Sequence, residues 1–178
     1  MNQLPMQSAA LLGALALTGC ASIGGIPTTR AGSAVLVSAN GLPAGTASIG
    51  AAGDRLTLTV AVGGLPEGIH GIHLHTTGRC DASGFTSAGG HLNPAGHQHG
   101  SLNPNGSHLG DLPNLAVGGN GAGAITATLS GTRAELERAL FDVDGTAIVI
   151  HASADDYRTD PSGNSGARIA CGVLIRNP

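Results

Sequence analysis

The sequence predicts an all-β fold, an antiparallel Greek-key β-sandwich or flattened barrel with two long functional loops. Three observations lead there: apolar and polar residues alternate in short segments, turn signals separate these segments at hairpin spacing, and a single stretch has a helical pattern. Ser33–Ala39 alternates first and ends at the turn signal Asn40-Gly41. Thr46–Ala51 and Arg55–Val62 follow, joined through Ala52-Gly53-Asp54, a hairpin-length link. Ala124–Leu129, Thr146–His151 and Ala170–Arg176 complete the strands, and Asp144-Gly145 is the turn before the second of these. In Thr132–Leu140, Thr132 and Glu135 have the spacing of a helix capping box. Strands linked this tightly suit a sandwich or barrel. Residues 76–122 and 152–169 break the pattern, being rich in Gly, Asn, Pro, Ser and His. Loops of that length in a compact domain are functional or disordered. The histidines gathered in and beside them favour function.

Composition narrows the class. The 178 residues fit one domain able to build its own core. With 41% hydrophobic and 11% charged residues, the chain is not of the disordered type. Its net charge is −3, every basic residue is Arg, and no basic cluster exists, which argues against nucleic acid as a partner. Only 2% of residues are aromatic and Trp is absent, so the core must come from small aliphatic side chains. Thirty Gly without a G-X-Y period exclude collagen and suit tight turns between strands.

Residues 8–17 form an apolar run too short to span a membrane as a helix but suited to the core of an export signal. It ends in Leu17-Thr18-Gly19-Cys20-Ala21, which resembles the bacterial lipoprotein processing box, although residues 1–7 lack Lys and Arg. That resemblance implies a signal peptide over 1–20, cleaved before Cys20, and lipidation of Cys20. Residues 20–32 then read as a flexible tether, and 33–178 as the folded domain. Ala21 and Ser22 favour the outer membrane, with the chain on the periplasmic side. If lipid consumes Cys20, Cys80 and Cys171 remain as a pair in an oxidising compartment.

Eight histidines are the anomaly. In a strand, His73 and His75 share one face, the arrangement that gives a metal two ligands from one element. His70 is out of phase with them and reads as a structural hydrogen-bonding residue. His91, His99, His108 and Asp111 offer three imidazoles and a carboxylate within 21 residues, a set suited to closed tetrahedral Zn²⁺. His151 ends an apolar strand facing a loop, a suitable further ligand for copper.

Gly71-Ile-His-Leu-His75, Gly90-His-Leu-Asn-Pro94, His99-Gly100, His108-Leu-Gly-Asp-Leu112, Val149-Ile-His151 and Gly163-Asn-Ser-Gly-Ala-Arg-Ile-Ala-Cys-Gly172 together resemble the Cu,Zn superoxide dismutase family over about residues 33–176. The resemblance implies one copper per chain on His73, His75, His91 and His151, and one zinc on His91, His99, His108 and Asp111. His91 would bridge the metals as an imidazolate and cycle a proton. Asp155 would hydrogen-bond ligands of both sites, and Cys80–Cys171 would be a structural disulfide. Arg168 would dock superoxide beside the copper, whereas His97 matches no ligand position and reads as exposed. Arg158 is a second candidate for steering the anion. The implied activity is disproportionation of superoxide to O₂ and H₂O₂. The alternative is a non-catalytic, membrane-tethered copper/zinc binding or delivery module; a third reading is an adhesive β-sandwich whose histidines are ordinary loop residues. Monomer and homodimer both remain open.

Overall fold

The computed structural model describes residues 28–82 and 84–178. The amino-terminal apolar run, its cleavage point and Cys20 lie outside these residues. Strands β1 (Thr29–Ser38), β2 (Pro43–Ala52) and β3 (Arg55–Val62) form an antiparallel meander. Alternation works as the sequence predicts: Leu56, Leu58, Val60 and Val62 of β3 face inward, while Thr57, Thr59 and Ala61 face outward. The remaining elements are β4 (Gly68–His70), β5 (Ile72–His75), β6 (Leu115–Val117), β7 (Gly123–Thr128), α1 (Arg133–Leu140), β8 (Thr146–His151) and β9 (Arg168–Arg176).

Hydrogen bonding orders the strands β4-β6-β7-β3-β2-β1-β9-β8-β5. The two outermost strands, β4 and β5, are consecutive in the chain and separated only by Gly71. The sheet therefore curls until its edges are two halves of one bent segment, giving a nearly closed barrel with little open edge. Chain connections that skip neighbours, such as β3 to β4, give it the Greek-key character expected. At the bend, Gly71 donates its N–H to Ser153 O at 2.8 Å and accepts the His151 N–H at 2.8 Å. A Cβ on Gly71 would lie 2.5 Å from Ser165 Oγ, so only glycine lets the second long loop come this close.

The core is aliphatic, as the composition requires: Leu36, Ile49, Leu58, Ile72, Leu74, Leu115, Ile148 and Ile150 are all fully buried. Phe85 sits in a separate small cluster with Ala88, Ala147, Val149 and Cys171. Helix α1 carries the foreseen capping box between Thr132 and Glu135 and buries Leu136 and Leu140.

Some boundaries differ from expectation. Residues 29–32, assigned to the tether, belong to β1, where Thr29 pairs with Ala51 and Gly32 with Arg176. The small residues Ala31 and Gly32 carry too little side-chain contrast to mark a strand, and cross-strand pairing decides. Strand β7 lies one residue earlier than its alternation suggests, and β9 begins two residues earlier, at Arg168. Strand β6 lies inside the first long loop and was not foreseen, because three residues are too few for a periodic signal. Cys80 and Cys171 are disulfide-bonded across a sequence separation of 91, tying that loop to β9.

Candidate metal centre

Ile72 and Leu74 of β5 enter the core, so alternation turns His73 and His75 to the opposite face. The first long loop covers that face by adding bridges to β5: Asp111 lies opposite His73, and His91 opposite His75. Leu92 N–H donates to Leu74 O at 2.8 Å and Leu74 N–H to Gly110 O at 2.9 Å. Backbone bonding thus brings three distant segments together before any metal is considered. His151, at the end of β8, enters from the other side.

Two groups of four donors result, His73, His75, His91 and His151, and His91, His99, His108 and Asp111. Within each, one atom per residue lies within 4.8 Å of the others. The chemistry of the donors fits the metals that the sequence implies. His73 Nδ1, His75 Nε2, His91 Nε2 and His151 Nε2 are buried and have no hydrogen-bond partner. Four orphaned imidazole nitrogens in one place are costly unless something binds them. In the second group Asp111 Oδ1 stands 3.0 Å from His91 Nδ1, 3.0 Å from His99 Nδ1 and 3.2 Å from His108 Nδ1. His91 Nδ1 and His108 Nδ1 are 3.5 Å apart. Ligand bonds of ~2.0 Å in a tetrahedron give edges of ~3.3 Å, so this spacing suits zinc. His91 turns one ring nitrogen to each group.

The opposite ring nitrogens are held by the protein, which fixes the tautomers. His75 Nδ1–H donates to Gly89 O at 2.9 Å and His151 Nδ1–H to Gly166 O at 3.1 Å. His73 and His99 donate their Nε2–H groups to the two oxygens of Asp155, at 2.8 and 2.9 Å. Asp155 therefore touches one residue of each group; such partners set ring orientation and ligand basicity. Asp111 Oδ2 accepts the N–H groups of Gly100 and His108, leaving Oδ1 for the group. Burial raises the Asp111 carboxyl, but the contact with His91 and these backbone donors outweigh it and hold it well below the usual range.

Burial, reinforced by neighbouring imidazoles and Arg168, lowers His75 to about 2 and His151 to about 4. Burial likewise lowers His91 to about 4, against the pull of Asp111. All three are thus neutral, the form that binds metal. In the metal-free protein the unfolded chain binds these protons near the ordinary 6.5, so between pH 6.5 and about 4 it takes up more protons than the folded state. Stability is expected to be greatest above pH 6.5 and to fall as pH drops through that window. Urea midpoints of the metal-free protein would show it, and a flat profile from pH 7 to 4.5 would contradict it.

Above the first group opens a cleft of about 480 Å³, lined by His75, His91, His151, Asp160, Ser162 and Arg168 among others. Arg168 donates Nη1–H to Phe85 O at 2.7 Å and Nη2–H to Gly89 O at 2.6 Å. Burial lowers its pKa, yet a guanidinium stays charged, and its remaining donors are free for an anion. Arg158 is exposed and not among the residues lining this cleft. His97 is exposed at the mouth, donates Nδ1–H to Ser107 O at 3.0 Å and joins neither donor group. His70 faces away from both, its ring nitrogens 2.8 Å from His151 O and 3.0 Å from Pro66 O. Sequence reasoning missed Asn114 and Tyr157, which hold Asp155, and the carbonyls of Phe85, Gly89 and Gly166. A backbone carbonyl leaves no mark in a sequence, and an isolated Asn or Tyr carries no spacing signal.

An antiparallel barrel that presents an all-imidazole group and a mixed imidazole–carboxylate group, joined through one shared ring, defines a binuclear metalloprotein. Residues 43–174 match the sequence profile of copper/zinc superoxide dismutase (SODC), and the chain belongs to that family of oxidoreductases. Copper and zinc are the family's metals. The chain is 39% identical over 172 residues to superoxide dismutase [Cu-Zn] of Deinococcus radiodurans, covering 90% of each chain. Over 147 residues it is 39% identical to superoxide dismutase [Cu-Zn] of Caulobacter vibrioides, covering 79% of this chain and 83% of the relative. The superoxide dismutase-like protein YojM of Bacillus subtilis is 46% identical over 111 residues, 60% of this chain, and the match spans only 56% of that relative. A crystal structure of a superoxide dismutase-like protein from Bacillus subtilis superposes with a TM-score of 0.76 at 38% identity, covering 83% of this chain and all of that one.

Proposed function

We propose that this chain is a superoxide dismutase that converts two superoxide ions and two protons into O₂ and H₂O₂. The observation that carries the reading is His91, a single buried imidazole that turns one ring nitrogen to each donor group. Copper on His73, His75, His91 and His151 would supply a one-electron couple, and zinc on His91, His99, His108 and Asp111 a fixed charge without redox change. With Nδ1 committed beside Asp111, His91 Nε2 is the atom able to take up and return a proton. The Phe85 and Gly89 carbonyls hold the Arg168 guanidinium at the cleft, where it docks a small anion and offers it hydrogen-bond donors. Arg168 works against a net charge of −3, and Asp160 adds a negative charge to the same cleft, so attraction of superoxide is local.

The non-catalytic delivery module requires metal that leaves readily. Every imidazole in the two groups is less than 9% exposed, which opposes release. Stopped-flow decay of superoxide, with the full chain in detergent carrying one copper and one zinc, tests the reading. A second-order constant near 10⁸–10⁹ M⁻¹s⁻¹, falling with salt and about tenfold lower in Arg168→Ala, is expected. A rate no better than that of the metal-free protein, with both metals bound, would overturn it in favour of the delivery module.

The chain is exported and held by lipid on Cys20 at the periplasmic side of a bacterial membrane, the outer membrane favoured. The processing-box residues support this, as does a disulfide that needs an oxidising compartment. Cys20→Ser is expected to move the protein from the membrane pellet to the soluble fraction; an unchanged distribution would refute the anchor.

A further inference from the structure

We propose that Asn114 and Tyr157 act together as a positioning clamp on Asp155 and thereby align both metal sites at once. The inference deepens the function proposed above and rests on it. Asp155 is fully buried in its side chain, and its two oxygens must meet His73 Nε2 and His99 Nε2 together. A carboxylate does this only if its backbone is placed to a fraction of an ångström. Yet Asp155 lies between β8 and β9, in a segment with no strand or helix to place it.

Asn114 supplies the missing constraint from across the molecule. Asp155 N–H donates to Asn114 Oδ1 at 2.9 Å, and Asn114 Nδ2–H donates to Asp155 O at 2.9 Å. The side-chain amide thus pairs with both peptide groups of Asp155, as a neighbouring strand would. Asn114 is itself fixed, because it immediately precedes β6 and its N–H donates to the Tyr157 hydroxyl at 2.7 Å. Tyr157 closes the circuit by donating its N–H to Asp155 Oδ1 at 2.6 Å. It holds φ at 59°, a left-handed conformation uncommon for a bulky residue, which the surrounding bonds must enforce. The end of the zinc-side loop and the loop beside the copper ligand His151 are joined at this point.

Chelator competition on the full chain tests the clamp. Asn114→Ala is expected to weaken copper and zinc binding together, each by about tenfold, the lower end of the range for partners that orient ligands. Tyr157→Phe, which removes only the hydroxyl, should weaken both by a few-fold, and it decides the matter if Asn114→Ala fails to fold. Asn164→Ala is the control: it cuts bonds to Asp156 and Thr159 in the same loop without touching Asp155, and should leave both affinities unchanged. Tyr157 is the only tyrosine and the chain has no Trp, so near-ultraviolet absorbance reports the clamp directly. That spectrum should change in Asn114→Ala and stay constant in Asn164→Ala. Weakening of one metal alone, of neither, or equally in Asn164→Ala would overturn the clamp. Failure of the unmodified chain to bind copper and zinc would instead overturn the proposed function on which the clamp rests.

Discussion

Replacing Cys80 and Cys171 together by Ser is expected to cost about 4–5 kcal/mol of stability and to lower superoxide turnover several-fold. The stability loss follows from chain entropy, since the cross-link closes a loop across a sequence separation of 91 and so restricts the unfolded chain strongly. Burying a serine hydroxyl where Cys171 sits fully enclosed among Phe85, Val149 and Ala147 adds to it. The loss of turnover has a different cause. The disulfide anchors the start of the segment whose Phe85 and Gly89 carbonyls hold Arg168, and Gly89 O also accepts the His75 Nδ1–H. Released from that anchor, the guanidinium samples positions that dock the anion poorly. Urea unfolding measures the first effect, and the low-salt rate constant of the fully metallated variant the second. A stability change below about 1 kcal/mol would refute the entropic argument; unchanged turnover would mean that β9 alone fixes Arg168.

Gly163→Ala, the addition of one methyl group, is expected to damage both metal sites. Gly163 holds φ at 63°, and a Cβ there would collide with Asp155 Oδ1 and lie 2.6 Å from His99 Nε2. Neither neighbour can yield, since Asp155 is fixed by His73, His99 and Tyr157 N–H, and His99 by Asp155 and Asp160. Overpacking and a left-handed non-glycine residue each cost on the order of 1–3 kcal/mol, so a total of about 2–5 kcal/mol is expected. Displacing Asp155 should also raise the dissociation constants of copper and zinc at least tenfold. Calorimetry and chelator competition measure the two effects, and affinities equal to those of the unmodified protein would contradict the argument.

Most of the donor set was legible because ligand chemistry is selective about residue type. Few side chains bind these metals, so His73 and His75 on one strand face, and three imidazoles with Asp111 in one loop, stand out in a chain so poor in other charged residues. Strands β2 and β3 were legible because alternation over six or more residues reports a half-buried surface, and β8 because Ala147-Ile-Val-Ile150 is a short apolar run behind the turn signal Asp144-Gly145, buried on both faces. Where that contrast failed, so did the reading. The small residues Ala31 and Gly32 concealed the start of β1, and three residues of β6 made no pattern.

The sequence by itself determined the β class, the positions of the chemistry-bearing side chains and the cysteines available for pairing, because these depend on residue type and local period. Only the tertiary structure decided that β4 and β5 close the barrel around Gly71 and that Arg168 rests on two carbonyls. It alone shows Asn114 and Tyr157 gripping Asp155 and Gly163 lying against it. The physical reason is that these contacts depend on how the chain folds back on itself and mostly engage backbone groups that every amino acid shares, some across 41 to 83 positions, so nothing in the residue order distinguishes them.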